Sequence, residues 1–195
     1  MRIIVDIGHP AHVHYFRNFI KIMSQKRHSF LVIAHDKDVT FSLLNKYKID
    51  FISRGKGSNS LFGKFIYIFQ ADIYVLKAAL KFKPDLFISF GTPFAAHVSF
   101  LLRKPNIVFS DTEHALFAQI LSVPLSTVIF TPNAFFKYFG KRHIKFSGYM
   151  ELCSLHPNYF QPDCQVLKLL GIGKNEKFIL LRFVSWTAYH DIGQK

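Results

Sequence analysis

Short apolar runs rich in β-branched and aromatic residues alternate with longer runs of helical period from the first residue onward. Such alternation leaves few architectures other than βαβ units wound around a parallel sheet. The strand-like runs are Ile3 to Ile7, Phe30 to Ala34, Asp50 to Ile52, Leu86 to Phe90, Ile107 to Ser110 and Thr127 to Phe130. Most are continuously apolar rather than alternating, as expected when helices cover both faces of the sheet. Between them, Phe16, Phe19, Ile20 and Met23 form one helical stripe. Phe62, Phe65, Ile66, Phe69, Ile73, Leu76 and Leu80 form a longer one. The expected fold class is therefore α/β, a doubly wound, Rossmann-like parallel sheet. With 195 residues, half of them hydrophobic, the chain has enough apolar surface for a sizeable core, and most of its 23 Phe are expected inside it.

After Phe146 the text turns polar and is punctuated by two prolines, Pro157 and Pro162. It reads as a first domain over residues 1–148, a linker over 149–163 and the start of a second domain over 164–195. In that last piece a helix over Cys164 to Leu170, stopped by Gly171, precedes an expected buried strand from Phe178 to Phe183. One helix and one strand make no core of their own, so the second domain reads as incomplete and the chain as truncated.

Lys and Arg number 25 against 12 acids, which gives a formal charge of +13 and an attraction to anionic partners. The cations are scattered without a run or recognition motif, so sequence-specific nucleic-acid binding is not expected. Two cysteines, Cys153 and Cys164, are too few for a disulfide framework and lack CxxC spacing. Met1 leads directly into a strand-like run with no signal region, and the cytoplasm is the expected compartment. The uncharged stretch from Ala115 to Phe136 is long enough to span a bilayer, but Gln119, Pro124, Pro132 and Asn133 divide it into helix, strand and turn.

The candidate chemistry sits where strands give way to helices. In DIGHPAHVHYF, Asp6 to Phe16, a strand ends at Gly8 and His9, His12 and His14 crowd the helix start, where anions are favoured. Imidazoles there serve as general base or phosphate ligand. Asp6, His12 and His14 also admit a metal-dependent hydrolase reading, although Pro10 intervenes and the HxH pair falls in a helix start rather than on a strand. SFGTPFAAH, Ser89 to His97, repeats the strand–turn–helix pattern with Gly91 and Thr92. FSDTEHA, Phe109 to Ala115, places Asp111, Thr112, Glu113 and His114 at the next strand end. Asp36 and Asp38 form a DxD pair, but Asp38 precedes a helical run and reads as its cap. The Gly/Ser-rich RGKGSN, Arg54 to Asn59, lacks P-loop spacing and reads as a surface loop at least as well as a phosphate cradle.

GHPAHVHYF, HDKDVT, GTPFAAHVS, FSDTEHA and LRFVSWTAYHDIGQK together resemble a prokaryotic family known as domain of unknown function three-five-four. That family is similar in fold to the two-Rossmann, GT-B-type glycosyltransferases, including the lipid-linked N-acetylglucosaminyl transferase of peptidoglycan synthesis, and to UDP-N-acetylglucosamine 2-epimerases. The resemblance implies an acceptor-side first domain and a donor-binding second domain. It also implies transfer or rearrangement of a nucleotide-activated sugar in the cleft between them. His9 or His12 would be the base, and Glu113 would orient the acceptor or the histidine. Gly8, His14, Gly91, Thr92, Asp111 and His114 would line the substrate, and Arg182, Ser185 and Trp186 would carry part of the donor site. No cofactor and no metal are required, because helix termini and basic side chains neutralise a diphosphate. The implied partners are a nucleotide-sugar donor, a glycan or lipid-linked acceptor and peripheral contact with an anionic membrane, on its inner face. A non-catalytic glycan- or lipid-binding module remains the alternative of a different class. The chain by itself is expected to be inactive.

Overall fold

The structure, a computed structural model, describes residues 1–58, 60–163, 165–173 and 175–181. Seven strands form one sheet in the order β3-β2-β1-β4-β5-β6-β7, and every neighbouring pair is parallel. They are β1 (Arg2–Ile7), β2 (Ser29–Ala34), β3 (Phe51–Ser53), β4 (Leu86–Phe90), β5 (Asn106–Phe109), β6 (Val128–Pro132) and β7 (His143–Phe146). The crossovers are α1 (Pro10–Gln25), α2 (Thr40–Lys46), α3 (Leu61–Phe82), α4 (Pro93–Leu101) and α5 (Leu116–Ser122). The short helices α6 (Leu152–Leu155) and α7 (Gln165–Leu169) follow the sheet. This is the doubly wound α/β fold expected from the alternation.

Two cores flank the sheet. Val13, Phe16 and Ile20 of α1 and Leu44 of α2 pack with Ile3, Val5, Ile7 and Val32 on one side. Ala71, Val75 and Ala79 of α3 and Phe94, Ala95 and Val98 of α4 pack with Ile4, Ile33 and Phe87 on the other. Alternate residues of β1 therefore serve different cores, which is why Ile3, Ile4, Val5 and Ile7 are all apolar. The winding reverses between β1 and β4, so the loops after these two strands splay apart and open a crevice at their carboxyl ends.

Several expectations are corrected. Phe16, Phe87, Phe90, Phe94 and Phe135 are buried, but Phe62, Phe65, Phe69, Phe100 and Phe136 are exposed. α3 turns its small residues inward, because Ala and Val let the helix backbone approach the sheet closely. β7, four residues long with exposed Ile144 and Lys145, was not expected: an edge strand this short and polar carries no apolar run. Asp38 does not cap α2. The residue before that helix is Val39 with no side-chain cap bond, and Asp38 takes a left-handed φ of 47° in the turn. Residues 178–181 are exposed and form no strand, since no described strand lies beside them to complete a hydrogen-bond ladder. Within the stretch expected to be a linker, α6 docks on α1: Asn18 Nδ2 donates to the Cys153 carbonyl at 2.7 Å, and Met150 is buried. No helix among the described residues is long and apolar enough to cross a membrane.

Candidate functional site

Asp6, fully buried at the end of β1, organises the floor of the crevice. Its Oδ1 accepts from Arg54 Nε at 3.1 Å and its Oδ2 from the Thr92 hydroxyl at 2.6 Å. Arg54 follows β3, lies with its guanidinium carbon 4.4 Å from the centre of the Phe94 ring, and donates to the Tyr67 hydroxyl. One carboxylate thus ties the loops after β1, β3 and β4 together. Gly8 is required by that closeness: a Cβ there would lie 2.6 Å from the Thr92 methyl. Gly91 is required for another reason, its φ of +59°.

Above this floor α1 begins. His9 is its N-cap, and the His9 Nδ1 accepts from Ala11 N at 3.2 Å, with Pro10 next in line where no N–H is needed. His12, one turn in, accepts at Nδ1 from Gly8 N at 3.2 Å. A ring that accepts at Nδ1 carries its proton on Nε2, so both histidines present N–H donors. Among the described residues neither Nε2 has a hydrogen-bond partner. Burial pushes the His12 pKa down to about 3, assisted by the positive fields of His9, Arg54 and Lys37. Burial also lowers His9, with Lys37 acting in the same direction and Asp38 against it. His12 is therefore neutral at physiological pH, with its Nδ1 lone pair taken up by Gly8 N. His35 is a strut: its Nε2 accepts from Gly57 N at 2.8 Å.

At the end of β5 the chemistry changes sign. Asp111, Glu113 and Glu151 line a cleft of about 430 Å³ with Phe135, Phe136 and Tyr149. Glu113 Oε1 accepts from Phe136 N at 3.1 Å, so its bond runs to the loop after β6 rather than to a histidine. Asp111 is raised above the usual carboxylate range by burial, against a hydrogen bond from the Thr112 hydroxyl at 2.8 Å. Tyr15 joins the two ends. Its ring stacks with His12 at 6.3 Å and packs on Phe90 at 5.0 Å. Its phenol is pushed up to about 12, by burial first and then by the charges of Asp111 and Glu151.

The structure brings together Gly8, His9, His12, Gly91 and Thr92 at the positive end and Asp111 and Glu113 at the negative end. His14 lies apart, 3.4 Å from the Tyr47 hydroxyl on the α2 side of α1. His114 is exposed, with its carbonyl accepting from Leu116 N. Arg182, Ser185 and Trp186 lie outside the described residues. No cluster of metal ligands exists among the described residues. Sequence reasoning missed Arg54, His35, Tyr67 and Tyr15. Arg54 was legible only as a loop cation, yet a lone Arg immediately after a parallel strand, two strands across the sheet from an Asp at a strand end, was the available signal.

Residues 1–194 match the family described as protein of unknown function DUF354. The chain belongs to that family. It is 27% identical over 193 residues to the uncharacterized protein MJ0665 of Methanocaldococcus jannaschii, covering 95% of this chain and 57% of that relative. The chain thus spans little more than half the length of the curated relative it matches. Among solved structures it is similar to MurG of Acinetobacter baumannii, with a TM-score of 0.61 and 15% identity over 75% of this chain and 46% of that one. It is also similar to the UDP-GlcNAc 2-epimerase of M. jannaschii, with a TM-score of 0.54 and 14% identity over 68% of this chain and 40% of that one. At these identities the likeness shows the fold, a Rossmann-like sheet of the kind found in GT-B enzymes.

Proposed function

We propose that this DUF354 chain is the acceptor-side domain of a sugar-nucleotide-dependent glycosyltransferase or of an epimerase-like enzyme. Its crevice would hold a phosphate at the β1/β4 end and a sugar hydroxyl at the β5 end. The observation that carries the reading is the pair of backbone hydrogen bonds accepted by the histidine loop. Two imidazoles spend Nδ1 on backbone N–H groups and offer Nε2–H beside a helix amino terminus, with Lys37 and Arg54 contributing positive field. That set donates to an anion and offers no lone pair at Nε2 to a metal.

Roles follow from the geometry. His12, held neutral, donates a hydrogen bond to a phosphate or to developing negative charge. His9 is exposed, and on releasing its cap bond it has a lone pair with which to accept a proton. Glu113, fixed by Phe136 N, orients a hydroxyl of the acceptor. Gly8, Gly91, Thr92 and Asp111 shape the substrate walls. The neighbours include an epimerase in complex with UDP-GlcNAc and UDP, which supports a nucleotide-sugar as the class of donor. The donor would be held mainly by a second domain, to which Arg182, Ser185 and Trp186 belong on this reading. This chain alone would then show no turnover and little donor affinity.

The test is to incubate the longer M. jannaschii relative and this chain with a panel of UDP-, GDP- and CMP-sugars, following nucleotide release and sugar configuration. Turnover by the relative, lost when its counterpart of Glu113 is changed to Gln, supports the proposal. Micromolar donor affinity or turnover by this chain alone would overturn the division between domains. Stoichiometric zinc in either protein, lost on His12→Ala, would promote a metal-dependent hydrolase instead.

A further inference from the structure

α3 carries two apolar faces, and only one of them is used by the fold. Its inward face is Ala71, Val75 and Ala79, with Ile68, Leu76 and Phe82 partly buried beside them. Its outward face carries the larger side chains: Phe62 is 77% exposed, Phe65 60%, Phe69 56% and Ile73 53%. With Ile66 and Leu80, also exposed, these positions recur at helical spacing and fall within an arc of about 100°. A helix that merely covers a sheet has polar residues on such an arc. The Phe65 and Phe69 rings pack edge to face at 5.1 Å, so the ridge is formed before anything meets it.

Charge completes the pattern. Lys77 and Lys81 are exposed along the carboxyl-terminal half of α3, and exposed Lys83 follows its end. Its one acid, Asp72, bonds His97 of α4 at 2.8 Å. α4, packed on the same core, adds exposed Phe100 and Leu101. A 22-residue helix is about 33 Å long, enough to lie along a surface.

We propose that the outer face of α3 docks on an anionic lipid surface. Phe62, Phe65, Ile66, Phe69 and Ile73 enter the boundary between headgroups and acyl chains, and Lys77 and Lys81 meet lipid phosphates. Charge selects this occupant over a second copy of the chain. Two copies joined through this face would bring their lysines together in molecules that each carry a formal charge of +13. The inference stands apart from the phosphate reading of the crevice, because no residue of the ridge lines it.

Co-sedimentation with vesicles tests the assignment, comparing phosphatidylcholine alone with phosphatidylcholine mixed with phosphatidylglycerol. The chain should pellet with the mixed vesicles, less so as salt rises, and remain in solution with phosphatidylcholine alone. F65S/F69S should lower partitioning about tenfold or more while leaving the thermal midpoint unchanged or higher, since both rings are exposed. K77E/K81E should abolish the preference for anionic vesicles. L155S, which removes an exposed leucine next to α1 on the other side of the sheet, should change nothing. If F65S/F69S fails to fold, I73Q provides the same test with a smaller loss. Absence of binding to mixed vesicles, or binding undiminished in the ridge variants, overturns the proposal. So does self-association in sedimentation velocity that disappears in F65S/F69S without any vesicle binding, which would assign the ridge to a second copy. Pyrophosphate affinity should be equal in parent and ridge variants, so failure here is distinguishable from failure at the crevice.

Discussion

At the end of β1 the polar groups that shape the crevice are tied down inside the protein, whereas at the end of β5 the acids are held only at the rim. Asp6 is fully buried and spends both oxygens on Arg54 and Thr92. Glu113 is half-buried and has one bond, to Phe136 N, from its carboxylate. A buried ion pair is seldom the most stable solution for a core, so its use beneath Gly8 and His12 indicates that the position of this loop is what matters. The contrast teaches that one end is held rigidly from inside the fold and the other only from the rim of its cleft.

The largest effect should come from breaking the floor. Arg54→Met leaves Asp6 buried without its cation and should cost about 3–5 kcal/mol in urea denaturation. A cost below about 1 kcal/mol, the usual worth of an exposed pair, would put the two ends on an equal footing. Next comes crowding: Gly8→Ala should cost about 1–3 kcal/mol, because its Cβ meets the Thr92 methyl at 2.6 Å. Adding Thr92→Ser removes that methyl and keeps the hydroxyl on Asp6, so the double variant should recover most of the loss. No recovery would mean that the glycine is needed for something other than this contact.

Protonation offers a finer comparison. The His12 pKa lies lower in the folded state, about 3, than its ordinary value of 6.5, so the unfolded chain binds the proton first on acidification. Stability should therefore fall as pH drops through that window, and His12→Gln should remove one proton's worth of the slope. His97 acts in the opposite sense. Its hydrogen bond to Asp72 raises it above the ordinary value, so its contribution is full at acid pH and is lost as pH rises through the folded pKa. Denaturation curves for H12Q and H97Q across the acid and neutral range should diverge in these opposite directions; parallel curves would remove the assignment of both rings. The smallest change in stability belongs to Glu113→Gln, under about 1 kcal/mol, since the amide oxygen still accepts from Phe136 N. A larger loss would show that the β5 end is as structural as the β1 end.

Much of the fold was legible because β1 and β4 are largely apolar runs, and such runs have only one common use in a chain that alternates with helices. β7 was not, since His143–Phe146 is short and half polar. The orientation of α3 was also hidden. Periodicity revealed a stripe of Phe and Ile but not that a second stripe, of Ala and Val, lay opposite and fits closer to the sheet. In the site, Gly8, His9, His12 and Thr92 stood out because they share short segments at strand ends. Arg54 and Asp6 are 48 positions apart, and their pairing depends on strand order, which is a property of the whole sheet. The tautomer of His12 likewise depends on the fold, since it is set by the direction of the Gly8 N–H.

The central claim, that the histidine loop is a set of N–H donors for a phosphate, is tested most directly by nitrogen NMR of the chain labelled in its histidines. The account predicts that at neutral pH His12 carries its proton on Nε2 and is uncharged. It further predicts that millimolar pyrophosphate, with chelator present, shifts the His9 and His12 signals while His14 and His143 stay in place. A His12 protonated on Nδ1, or signals of His9 and His12 that respond to zinc and not to pyrophosphate, would contradict it.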